Sequence, residues 1–272
     1  MFSLLLVGSV SLFVGCKEDE DPVSTTDKTI PNDVFPLTAG HRFEYSGYFT
    51  NQDTETPIAG TSTFYSSTWT VVAPSYPLSN ILGPLAAVVA ATPNGRASAA
   101  LVMDSTLTAP GGAKKVTPVF AYYDSTSADY YYMTNLGLFF RSSVIKDSAA
   151  ASGVRMDSLR FIKLASPKAG IGGSFVCFEE NLVSYANPSA PTTITLKITG
   201  TWESKQEVTV NGVTYSAYYL VINRAAFVGS AQVNSGVTAK IWLVQGVGPV
   251  KMFLAGDAEV PGNYRELKSK NF

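Results

Sequence analysis

Histidine is nearly missing from this chain of 272 residues: His41 is the single one. A Ser-His-Asp triad could use no other base, and a site built on several histidines is excluded. His41 follows Gly40 at the start of a strand-like run, where a solvated or locally hydrogen-bonded ring is expected. Charge is sparse as well. Asp, Glu, Lys and Arg make up 15% of residues against a usual value of about 25%, and 20 basic side chains face 21 acidic ones. A formal net charge of −1 leaves no electrostatic footprint for nucleic acid and no basic patch for anionic lipid. Long apolar runs are lacking after residue 16. The least polar, Ile81–Ala91, is broken by Gly83 and Pro84 and is too short for a membrane-spanning helix, which needs about 20 residues. Helix signatures are lacking too, since no amphipathic run of ten or more residues is found.

What is present begins at the N-terminus. Phe2–Gly15 is an uncharged apolar run of signal-peptide length, and it ends at Cys16. Leu12-Phe13-Val14-Gly15-Cys16 resembles a bacterial lipobox, with Phe13 where that motif usually carries Leu. The resemblance implies cleavage after residue 15 and acylation of Cys16. The next residues, Lys17, Glu18, Asp19, Glu20 and Asp21, are similar to the surface-export signal of Bacteroidota lipoproteins. No Lys or Arg precedes the apolar run, as a signal peptide would have; a start codon further upstream would supply it. The expected organisation is a signal peptide over residues 1–15, a lipidated cysteine with a disordered acidic tether over 16–33, and one β-rich domain over 34–272. Residues 17–33 lack aromatic side chains and are rich in Asp, Glu, Thr and Pro, a composition that does not pack. The anchor implies an outer-membrane protein held by lipid at the cell surface, with the periplasmic face as the alternative. One acyl chain binds a bilayer only marginally, so stable anchoring needs more than one. With Cys16 acylated, Cys177 has no disulfide partner. Within Phe175-Val176-Cys177-Phe178 it reads as a buried apolar residue.

From residue 34 onward the chain reads as all-β: an antiparallel, strongly bent sheet or open barrel with few or no helices. Strands are expected at Arg42–Thr50, Thr61–Val72, Ala86–Thr92, Ala97–Ser105, Thr117–Asp124, Tyr130–Thr134, Leu138–Val144, Leu159–Leu164 and Ser174–Glu179. Pro74–Pro84 reads as a loop, and Pro93-Asn94-Gly95-Arg96 as a hairpin turn. Thr193–Glu203 alternates strictly, with Ile194, Leu196 and Ile198 on one face. Asn211-Gly212 between Glu207–Val210 and Val213–Asn223 is a strong hairpin signal. A second hairpin is expected between Ala225–Val233 and Val237–Gln245 around Asn234-Ser235-Gly236, followed by a strand over Val250–Leu254.

Three segments carry a wider resemblance: FPLTAGHRFEY from Phe35, VTVNGVTYSAYYLVI from Val208 and IWLVQGVGPVKMF from Ile241. Together with the anchor they are similar to β-rich lipoproteins of Bacteroidota type. That likeness implies an open, half-barrel sheet like those of lipoprotein carriers, with a concave apolar face.

Enzyme motifs fail. Ser143-Val144-Ile145-Lys146 matches S-x-x-K but lies in a strand-like run, and Gly170-Ile171-Gly172-Gly173 lacks the strand-turn-helix setting of a phosphate loop. No cofactor and no metal site is read. Glu179 and Glu180 with Asp104 would serve glycoside chemistry only if folding brought them about 5–9 Å apart. Aromatic residues crowd instead. Tyr122, Tyr123, Tyr130, Tyr131 and Tyr132 lie on adjacent strands as a candidate binding face, and ordinary cross-strand pairing is the competing reading. In a strand Tyr130 and Tyr132 share one face and Tyr131 takes the other. The chain thus reads as a membrane-anchored lipoprotein, with no activity as an enzyme, whose domain binds a glycan, a protein or an apolar ligand or serves as structure. A carrier of lipid-like molecules is the first alternative and a carboxylate-dependent glycan hydrolase the last. Oligomeric state is left open.

Overall fold

A computed structural model describes residues 28–51, 54–58, 65–78, 80, 96–107, 112–135, 159–184, 192–256 and 261–272. The expected signal peptide over residues 1–15, Cys16 and Lys17–Asp21 lie outside the described residues. So do Ala86–Thr92, Leu138–Val144 and the S-x-x-K match.

The first six strands are β1 (Arg42–Thr50), β2 (Tyr65–Pro77), β3 (Ser98–Leu107), β4 (Lys115–Asp124), β5 (Asp129–Asn135) and β6 (Leu159–Ala165). A three-residue 3-10 turn, Pro167–Ala169, leads to β7 (Ser174–Ser184) and β8 (Thr192–Val210). Then come β9 (Val213–Val228), β10 (Ala231–Val244), β11 (Gly248–Leu254) and β12 (Gly262–Lys270). Every described pairing is antiparallel. They form one sheet in the order β6-β5-β4-β3-β2-β1-β12-β11-β10-β9-β8-β7. The sheet curls into a nearly closed barrel. Its two edges, β6 and β7, are consecutive in the chain, and no described ladder joins them.

Hydrophobic alternation builds this wall. In β8, Ile194, Leu196, Ile198, Gly200 and Trp202 are buried while the residues that alternate with them are not, so one face of the strand meets the core. The register then shifts between Trp202 and Ser204, a bulge that bends the ribbon. Beyond the bend the β8–β9 hairpin turns at Asn211-Gly212, where both residues take positive φ, 48° and 77°, as a type I′ turn demands. Val210 at the tip is buried, and Asn211 Nδ2 donates to the Leu267 carbonyl at 2.6 Å, which folds the tip towards β12.

Three expectations need correction. The β9–β10 turn lies at Gly229-Ser230, not at Asn234-Ser235-Gly236: Val228 pairs with Ala231, and Gly229 has φ 60°. Gly-Ser is itself a two-residue hairpin signal, and residues 234–236 sit inside β10 between two register shifts. β2 runs through Pro74 to Pro77, its irregularity absorbed by shifts opposite β3. Residues 28–33 are docked rather than disordered. Ile30 is buried, Lys28 O accepts from Ile171 N at 2.9 Å, and Asp33 O accepts from Gly246 N at 3.0 Å. Tyr130 Oη donates to Asn32 O. Ile30 is the apolar anchor that composition averaged over residues 17–33 concealed, and it joins the same core as the fully buried Val34.

Candidate functional site

Inward-facing side chains from all twelve strands leave a cavity of about 390 Å³, within the usual range for small-molecule sites. Val71, Val102, Ile162, Ile198, Ile241 and Met252 typify its wall. At the end where β1 begins, Phe35, Pro36 and Leu37 of the N-terminal strap lie against it. The strap is held there by the backbone bonds of residues 28–33 and by Phe35 packing on Tyr130, ring centroids 5.3 Å apart.

Polar groups gather in one part of the wall. Ser67 Oγ donates to Asp104 Oδ1 at 2.7 Å, and Thr106 Oγ1 donates to the same atom at 3.2 Å. Arg265 places its guanidinium 3.8 Å from Asp104 Oδ2 and 3.4 Å from Ser67 Oγ, and 5.3 Å over the Trp69 ring. Its Nε donates to Asn263 Oδ1 at 3.2 Å. Lys163, also on the lining, pairs with the buried Asp129 at 2.8 Å. Nearby, burial pushes the Tyr45 hydroxyl far above its ordinary range, with Arg265 opposing the shift, and Tyr45 Oη donates to Pro249 O at 3.0 Å. Burial likewise pushes the Cys177 thiol up to about 12, so it stays protonated. The thiol lines the cavity as an apolar group, as its setting in sequence suggested.

The tyrosines are distributed over both faces of the sheet. Tyr123 and Tyr130 pair inside at 4.8 Å, and Tyr132 lines the cavity. Tyr122 and Tyr131 stack at 5.0 Å in a second buried cluster with Phe120, Phe161, Leu78 and Ala99. Tyr122, Tyr130 and Tyr131 are therefore packed rather than presented, and cross-strand pairing accounts for them. The carboxylates are not brought together. Asp104 is occupied inside the barrel, while exposed Glu179 pairs with Lys197 at 3.0 Å. His41 stacks on Phe272 at 3.9 Å. Among the described residues no group of three or more His, Cys, Asp or Glu could hold a metal ion, and no helix is long and apolar enough to cross a membrane.

Sequence reasoning named Asp104 for a different purpose and missed Arg265. The available signal was period two: Arg265 and Leu267 are both buried, so Asn263-Tyr264-Arg265-Glu266-Leu267 carries its arginine inward.

No family model and no curated protein matches the chain. Among solved structures it is similar to a candidate lipoprotein of Parabacteroides distasonis, at 13% identity and TM-score 0.45, covering 88% of this chain and 98% of that one. It is also similar to a candidate exported protein with a YmcC-like fold from Bacteroides fragilis, at 9% identity and TM-score 0.39, with the same coverage.

Proposed function

We propose that the chain is a lipid-anchored outer-membrane lipoprotein, displayed at the cell surface, whose barrel holds an apolar ligand. The observation that carries the ligand reading is the apolar cavity to which every strand contributes. A protein interior is normally packed to crystal density with few voids larger than a water molecule. A void of this size lined by Val, Ile, Leu and Met favours an apolar guest over water, which needs polar partners. The anchor reading rests on Cys16 and the charged run behind it. Residues 17–27 span at most about 40 Å when fully extended, so the docked strap stays within that reach of the bilayer.

Two experiments test these readings. N-phenyl-1-naphthylamine, a neutral apolar dye, should bind the purified protein with enhanced fluorescence. Ala121→Trp, which fills the lining, should weaken binding about tenfold or more while leaving the fold intact. Dye uptake that ignores this variant would sink the cavity reading. For the anchor, membrane-fraction mass spectrometry should find acylated Cys16, and Cys16→Ser should release the protein and abolish surface shaving by protease.

A further inference from the structure

We infer that the cavity takes a single-chain amphiphile with an uncharged, hydroxyl- or amide-bearing head, the head lying against Asp104 and the chain running towards Phe43 and the Phe35–Leu37 strap. This rests on the cavity being a ligand site. Phe43 lies at the strap end of the lining, while Arg265 enters opposite Gly47, four residues further along β1, or about 13 Å at strand rise. Asp104 meets it from β3, two strands away from Phe43 with Trp69 between them. The cavity therefore has an aromatic and aliphatic end and a polar part.

The polar part selects by charge. Of the ion pair, the Arg265 side chain is 4% exposed and that of Asp104 is 17% exposed, so the carboxylate is the member presented to a guest. Asp104 Oδ1 already accepts from Ser67 and Thr106, whereas Oδ2 lies 3.8 Å from Arg265, beyond hydrogen-bond distance. That oxygen keeps acceptor capacity for a donor on the ligand. Trp69 Nε1, on the lining residue opposite Asp104 in the β2–β3 ladder, is buried without a hydrogen-bond partner. A hydroxyl or amide head can both donate and accept and so suits this set. A fatty carboxylate would set its charge against the Asp104 carboxylate at low dielectric. A fatty ammonium would add a charge where Arg265 already neutralises Asp104, and a buried excess charge is costly. The other lining cation, Lys163, is neutralised by Asp129 in the same way.

The test uses the full chain and four matched C18 probes competing with N-phenyl-1-naphthylamine at neutral pH: monoolein, oleyl alcohol, oleate and oleylamine. The two neutral probes should bind at least about tenfold more tightly than the two ions, a difference of about 1.4 kcal/mol. Oleate or oleylamine binding as tightly as monoolein overturns the inference while leaving the cavity as a ligand site. Failure of the dye and of all four probes overturns the cavity reading itself. Asp104→Asn, which removes one negative charge from the polar part, should shift the ranking towards oleate, and Arg265→Gln, which removes one positive charge, should shift it towards oleylamine. The double variant restores neutrality and should return the preference for monoolein. A ranking unmoved in folded single variants places the head elsewhere and overturns the assignment. Should a single variant fail to fold, the wild-type ranking decides alone.

Discussion

Gly47 shows how one missing side chain holds the two halves of the chain together. A Cβ there would come 1.8 Å from the Tyr264 carbonyl oxygen and 2.8 Å from the Arg265 Cα, both backbone atoms that cannot turn aside. Gly47→Ala should therefore force β12 away from β1 and cost about 3 kcal/mol, the upper end of ordinary overpacking; urea unfolding would measure it. Asp124 offers a pH test. Burial alone would raise its pKa, but the Ser127 hydroxyl and the Thr126 and Ser127 backbone N–H groups hold it below the usual carboxylate range. A lowered folded pKa contributes stability that is present above the unfolded value, about 3.9, and lost as pH falls through the folded one. Asp124→Asn should cost about 2 kcal/mol at neutral pH. The gap to wild type should stay flat above about pH 5 and shrink below about pH 4, as followed by thermal unfolding across pH. A gap independent of pH would show that the charge of Asp124 is not what the turn uses.

At the scale of elements, Trp202 is the bolt between β8 and the β6–β7 corner. It is fully buried, and its Nε1 donates to the Ser166 carbonyl at 2.9 Å. Its own backbone exchanges bonds with Gly172 and Gly173. Trp202→Phe keeps an aromatic ring but removes that donor, leaving the carbonyl to Ala169 N alone, and opens a void, at a cost of about 2 kcal/mol or more. Hydrogen exchange should then rise at residues 166–173 before it rises in β9. Elements of this kind were unevenly legible. β1 and the Asn211-Gly212 hairpin could be read from sequence because turn chemistry and alternation act locally. β12 could not, because GNYRELKSK looks polar and its inward residues are an arginine and a single leucine. The tyrosine pattern rightly implied two faces. It could not reveal that the outward face is also buried, because that depends on rings from β4, β5 and β6 packing on one another and on Leu78 just beyond β2. The Asp104–Ser67–Arg265 cluster was out of reach for a related reason. Ser67 and Arg265 are 198 residues apart, and only the closed sheet makes them neighbours.

At the scale of the molecule, the sheet order is a simple meander cut in the middle of the chain. β1 and β12, far apart in sequence, pair in the centre of the sheet, and the two edges belong to neighbouring strands. The strap and the β8–β9 tip are docked at the end where β1 begins, the end from which the chain leads back to Cys16. This arrangement also sets a schedule. A chain made from its N-terminus has β1 to β6 in hand early, yet its central ladder lacks a partner until residues 262–270 emerge. Closure over such a sequence separation is slow, and until then β1 is a bare edge open to wrong partners. Keeping that edge from wrong partners until β12 arrives is thus a demand the topology places on folding, while the finished barrel needs no such protection there.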